Sequence, residues 1–188
     1  AVLRILDELG YKTYYKVLNS SHYGSPTSRE RIFFVCFRKD LGDVDFHFPE
    51  STFERIHLKD ILDKNDASKY AVIRKDMKLF KAENQQNALR PLQIGTFNNG
   101  GQGERIYSPN GHAVSLTAYG GGAASKTGAY LIDGIPRRLT PRECARVMGF
   151  PDSFKIPVSD TQAYKQFGNS VVVPLVRMIA KNLLNSLS

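Results

Sequence analysis

The spacing of apolar and polar positions changes several times along the chain, and each change predicts an element. Val2, Leu3, Ile5, Leu6 and Leu9 share one helical face, and Gly10 is a natural stop. Tyr14 to Leu18 reads as a short strand, and residues 19–28, with Gly24 and Pro26, as a loop. Arg31 to Phe37 is a continuous apolar run of strand length, the pattern of a strand buried on both faces. Helix, strand, loop and buried strand predict part of an α/β sheet, with too few strands to complete it. Residues 59–97 mix charges with short apolar pairs and predict no definite element. Residues 98–138 are glycine-rich, with short strands expected at Arg105–Tyr107, Ala113–Tyr119 and Ala129–Ile132, a small mainly-β module. Thr140, Pro141 and Glu143 combine an N-cap, a first-turn proline and a capping box, so a helix is expected to about Met148, ending at Gly149-Phe150-Pro151. A last helix begins near Pro174. Its apolar stripe of Leu175, Val176, Ile179, Ala180, Leu183, Leu184 and Leu187 must pack on a sheet or another helix.

Composition narrows the class of partner. The 188 residues carry a formal net charge of +8 and a pI of about 9.5, which suits nucleic acid or an acidic surface. Residues 59–140 hold twelve Lys or Arg against seven Asp or Glu, so much of the surplus sits in that segment. Two cysteines, Cys36 in the apolar run and Cys144 in the helical pattern, make no disulfide framework and read as reduced core residues. No apolar run approaches the roughly 20 residues of a membrane span.

Residues 98–111, "NNGGQGERIYSPNG", hold the densest candidate chemistry. A dinucleotide fingerprint beginning at Gly101-Gln102-Gly103 would need glycine at Ile106. A phosphate loop starting at Gly120 would need glycine at Ser125 and a helix after Thr127, where a strand is expected instead. A base reader fits better. Arginine offers a planar fork for the O6 and N7 of guanine, Gln102 can pair with base edges, and Glu104 could hold the Arg105 fork. A surface hairpin whose glycines only make turns fits the composition equally well. Two further groups stand out. Alternation puts Arg29 and Arg31 on one side of the strand entrance, with Glu30 opposite, which suits a carbonyl or carboxylate ligand or a pair of solvated charges. Asn169 and Ser170 precede the last helix, as either an anion site or an ordinary cap.

In order along the chain, Arg29-Glu30-Arg31 before an apolar strand, Arg138-Leu139-Thr140-Pro141-Arg142-Glu143 with Arg146 and Gly149-Phe150-Pro151, and Gly168-Asn169-Ser170-Val171 are followed as a set. This set resembles the C-terminal half of bacterial DNA cytosine-5-methyltransferases of restriction-modification systems. Gly100 to Ser108, Ala118 to Gly122 and Gln162 to Ser170 carry the likeness most strongly, and residues 49–97 carry it weakly. The resemblance implies an α/β fold: the C-terminal part of a Rossmann-like S-adenosylmethionine-dependent methyltransferase sheet plus a small mainly-β target-recognition domain. The expected division is 1–58 catalytic, 59–140 recognition, 141–168 hinge and 169–188 returning helix. It implies double-stranded DNA as partner, S-adenosyl-L-methionine as cofactor, no metal, and a bacterial cytoplasmic, nucleoid-associated location. It also implies base flipping at a short palindromic site, GCGC being the first guess.

The implied roles follow residue by residue. Arg31 contacts the cytosine carbonyl and Arg29 holds the site. Gln102 fills the space the flipped base leaves, and Arg105 reads a guanine. Glu104, Tyr107, Thr117, Tyr119 and Gly122 belong to the recognition loops, and Ser115 contacts the DNA backbone. Asn169 and Ser170 meet the methionine part of the cofactor. Two departures stand beside this. Thr27 occupies a position where the family usually has glutamine. The family's Phe-x-Gly-x-Gly loop, Pro-Cys nucleophile and Glu-Asn-Val motif do not occur: Cys36 follows Val35 and Cys144 follows Glu143. The start at Ala1 inside a helical pattern suggests a fragment or the ordered part of a longer chain, with the N-terminal half as missing partner. The isolated chain is therefore expected not to methylate DNA. A non-enzymatic DNA-binding specificity subunit and an RNA-methylating relative are the competing readings. Arg29, Arg31, Asn169 and Ser170 argue against the first and the glycine-rich loops against the second.

Overall fold

The computed structural model describes residues 1–52, 54–64, 67–80, 89–119 and 121–187. Helix α1 (Val2–Glu8) leads into strand β1 (Tyr11–Asn19), which pairs antiparallel with β2 (Glu30–Arg38), Tyr11 opposite Arg38 and Asn19 opposite Glu30. Helix α4 (Val173–Asn185) returns to this ribbon, and Leu175 and Ile179 join Leu18, Val35, Phe37, Val44 and Phe46 in one core. The expected burial of β2 on both faces is not found. Ile32 and Phe34 are 51% and 42% exposed, beside their cross-strand partners Val17 and Tyr15, which are also exposed. Both faces of the ribbon are apolar, but α4 covers one. Val2, Leu3 and Ile5 on α1, and Leu9 just after it, are exposed as well. The stripe on α4 is likewise only partly used, since Ala180, Leu184 and Leu187 lie outside the core.

The second sheet has the order β3-β4-β5-β6-β7, formed by Lys78–Leu79, Leu92–Thr96, Arg105–Ser108, Ala129–Ile132 and Ile135–Arg138. Only the β5–β6 pair is parallel. Two of these strands come from residues 59–97, where the sequence pattern predicted nothing, and β7 was also missed. The strand expected at Ala113–Tyr119 does not form. Its backbone is shared among unlike partners: the Ala113 N–H donates to the Pro26 carbonyl, Val114 to the Tyr130 hydroxyl and Thr117 to the Lys126 carbonyl. Ala113 forms one isolated parallel bridge with Thr27. Thr27 is fully buried and its hydroxyl donates to the Ala113 carbonyl at 3.2 Å.

Helix α2 (Pro141–Val147) starts as the sequence predicts. The Thr140 Oγ1 accepts from the Glu143 N–H at 3.1 Å, and the Glu143 carboxylate accepts from the Thr140 N–H at 2.8 Å. Helix α3 (Asp160–Asn169), capped by Ser159, was not predicted, although Ala163, Tyr164 and Phe167 bury one face at helical spacing. α2 and α3 pack with Leu58, Tyr107, Leu116, Tyr130 and Leu139 in the largest core. Among the described residues no helix is long and apolar enough to cross a membrane.

His112 is fully buried and His57 nearly so. Among the described residues, both ring nitrogens of His112 and Nε2 of His57 have no hydrogen-bond partner. Burial, and then the neighbouring His57, pull His112 below its ordinary value of 6.5. The unfolded chain therefore binds this proton more readily than the folded one. The stabilising effect is complete above the unfolded value and is lost as pH falls below it. Urea unfolding from about pH 8 to about pH 5 should show stability declining toward acid, by at most about 1.4 kcal/mol per pH unit from this group. His112→Phe should flatten that decline; an unchanged profile would reject the assignment.

Candidate functional site

Two concavities collect the residues singled out by the sequence. The first, of about 600 Å³, is lined by Gln102, Glu104, Arg105, Tyr107, Ser115, Thr117, Tyr119 and Gly122, together with Lys126. Eight candidates spread over 21 positions thus face one groove. The convergence has a local cause. A Cβ on Gly103 would lie 1.9 Å from the Gly121 carbonyl oxygen, and one on Gly122 would lie 2.6 Å from the Gly103 oxygen. The two loops touch backbone to backbone, tied by the Ala124 N–H donating to the Gly103 carbonyl at 2.8 Å. These glycines therefore serve the close contact between the two loops. Gly120 lies outside the described residues.

Within the groove, Gln102 and Arg105 are exposed, and Tyr119 is 73% exposed with the Lys165 ammonium 5.4 Å from its ring centre. Tyr107 is buried against Tyr130 and supports the floor. The expected hold of Glu104 on the Arg105 fork is not found. Glu104 accepts from the Asn98 side-chain amide at 3.2 Å, while Arg105 Nε donates to the Gly100 carbonyl at 3.4 Å. The Arg105 guanidinium is thereby left unpaired by Glu104, on an exposed side chain. Lys126 and Lys165 were missed by the sequence reading: one sits in a loop and the other on an unpredicted helix, and neither has a motif to mark it.

The second cavity, of about 410 Å³, is lined by Arg29, Arg31, Asn169 and Ser170 with the apolar Phe33, Phe34, Val172 and Leu175. Arg29 and Arg31 do share a side, but they differ in circumstance. Arg29 is 8% exposed and its guanidinium donates to the carbonyls of Leu116, Gly168 and Ser170 at 3.3, 2.9 and 3.2 Å. Burial, then the charge of Arg31, pull Arg29 below its ordinary value. Arg31 is exposed, and its Nη1 donates to the Glu30 carbonyl. No carboxylate among the described residues pairs with it.

Asn169 closes α3 and does not precede the next helix directly, because α4 begins four residues later at Val173. The Ser170 hydroxyl donates to the Phe167 carbonyl at 3.0 Å, so it acts as a cap of α3. Asn169 stays exposed at the cavity. A Cβ on Gly168 would lie 2.5 Å from the Ala118 nitrogen, so residues 117–118 run directly against the α3 backbone.

Known proteins are similar to this chain. The Type II methyltransferase M.HhaI of Haemophilus parahaemolyticus is 47% identical over 188 residues, all of this chain and 58% of the relative. M.NlaX of Neisseria lactamica is 40% identical over 193 residues, again covering 100% of this chain and 57% of the relative. The chain therefore spans somewhat more than half the length of these relatives. Solved structures of the Entamoeba histolytica methyltransferase EhMeth and the S. pombe Dnmt2 methyltransferase superpose with TM-scores of 0.70 and 0.69 at 18% and 20% identity. Both cover 100% of this chain, and this chain covers 57% and 60% of theirs, a likeness of fold. With residues 1–185 matching the family pattern from the exposed helix α1 through the end of α4, the chain belongs to the C-5 cytosine-specific DNA methylases.

Proposed function

We propose that this chain is the target-recognising C-terminal part of a DNA cytosine-5-methyltransferase, acting with S-adenosyl-L-methionine on a short palindromic site, GCGC as first guess. The observation that carries the reading is the convergence of Gln102, Arg105, Ser115, Thr117 and Tyr119 on one groove beside a second cavity holding Arg31 and Asn169. A pure DNA-binding module has no need of the second cavity.

In this reading the 59–140 segment enters a groove of duplex DNA, with Arg105 forking onto a guanine and Gln102 filling the stack behind a flipped cytosine. The flipped base enters beside Arg31, whose guanidinium holds the carbonyl oxygen where negative charge grows. Arg29 keeps that wall in place through its three backbone carbonyls. The cofactor, when bound, supplies the methyl group. The cavity suits its methionine end: the Asn169 amide offers both donor and acceptor, and the Ser170 oxygen, its hydrogen committed to Phe167, keeps lone pairs for an ammonium.

The nucleophile is assigned to residues outside this chain. Burial and the adjacent Glu143 charge push the Cys144 thiol well above its ordinary value, so it resists forming a thiolate. Cys36 faces Thr13, whose hydroxyl donates to its Sγ at 3.6 Å. The uncovered apolar face of Tyr15, Val17, Ile32 and Phe34, with Val2, Leu3 and Ile5 on α1, is where the rest of a catalytic sheet would pack. Arg105→Ala is expected to lose about 1–3 kcal/mol of discrimination at one guanine while keeping affinity for unrelated duplex. Titration of matched and singly altered duplexes measures it, and equal discrimination by variant and parent would refute the reading.

A further inference from the structure

The recognition loop is held from a segment that no motif marked. Arg74 grips Asp76 with both Nε, at 2.8 Å, and Nη2. The same carboxylate accepts the Asn98 N–H at 2.9 Å. Asn98 sits at φ +41°, a left-handed conformation that Asn tolerates better than most residues. Its side-chain amide donates to Glu104 at 3.2 Å, and the Phe97 N–H donates to the Glu104 carbonyl at 2.7 Å. The chain of bonds thus runs Arg74, Asp76, Asn98, Glu104, ending next to Arg105. Above all Arg74, and then the Asn98 N–H, hold the Asp76 carboxyl down to about 2, so it is ionised at any working pH.

We propose that Asp76, fixed by Arg74, is a positioning residue for DNA sequence reading: through Asn98 it keeps the Glu104 carboxylate occupied and away from Arg105. The physical reason is competition. Glu104 and Arg105 are adjacent in sequence and of opposite charge. A Glu104 released from Asn98 can pair with the Arg105 guanidinium, and an arginine engaged by a carboxylate has fewer donors for guanine O6 and N7. Asp76 makes no demand on DNA itself. Its effect reaches the base through the loop.

This inference rests on the DNA-reading function proposed above, and its test has two parts, on the full-length protein that carries this chain. Duplex titration of Asp76→Ala is expected to show the ratio of matched to guanine-altered affinity falling roughly tenfold, the scale of one charge-assisted hydrogen bond, with affinity for unrelated duplex unchanged. Arg74→Ala should move the ratio the same way but less, because the Asp76–Asn98 bond survives. Hydrogen exchange of residues 97–104 without DNA should quicken in Asp76→Ala. Retained discrimination in Asp76→Ala overturns the proposal, as does an equal loss of affinity for all duplexes together with a lowered melting temperature. A parent that discriminates no duplex overturns the DNA reading and this role with it, while exchange still reports whether the clamp exists.

Discussion

Replacing Glu143 by Ala should lower folding stability by about 3–5 kcal/mol, the usual cost of orphaning one partner of a buried ion pair. Glu143 is fully buried and receives four donors. Arg137 grips it at 2.7 Å through both terminal nitrogens, and the N–H groups of Asp63 and Thr140 donate at 2.9 and 2.8 Å. One carboxylate therefore joins β7, the start of α2 and the segment before residue 64. Its removal leaves a guanidinium with 8% side-chain exposure uncompensated. Urea midpoints measure the loss. The double variant Arg137→Met with Glu143→Leu should recover much of it, because an apolar pair removes the unpaired charge. A Glu143→Ala loss under about 1 kcal/mol would mean that water reaches the site and compensates.

Arg31→Ala should lower the turnover of the complete methyltransferase about 10²–10³-fold, the scale of one lost charge-stabilising donor in a closed site. It should leave the melting temperature nearly unchanged, since Arg31 is exposed and bonds one carbonyl. Arg29→Ala separates the two arginines. Three backbone carbonyls lose their donor in the interior, so stability should fall by about 1–3 kcal/mol along with activity. Single-turnover methyl transfer from labelled cofactor reads the chemistry, and thermal melts read the fold. An Arg31→Ala enzyme as fast as its parent would remove Arg31 from the proposed site.

Much of the site was legible because its residues lie in short words whose chemistry is local. The Thr140–Glu143 capping box needs only residues three apart, and it forms as read. Arg29 and Arg31 share a cavity because strand alternation places them together. Glu104 was misread because its partner Asn98 depends on where Asp76 stands, a contact 22 residues away in sequence. Segment 113–119 looked like a strand because its side chains suit one, but its N–H groups found a carbonyl, a hydroxyl and a loop instead of a neighbouring edge.

By itself the sequence determined the starts of α1, α2 and α4, the two strands of the first ribbon, the family resemblance and the candidate residues it named. These follow from spacing, capping and composition, which act over a few bonds. The tertiary structure alone decided that eight of those residues line one groove, that the loops bearing them touch through Gly103 and Gly122, and that Arg29 is buried on three carbonyls while Arg31 stays exposed. It also decided that one face of β1 and β2 stays uncovered. Contacts of this kind join residues far apart in sequence, and which of them form depends on how the cores pack around them, not on any local preference.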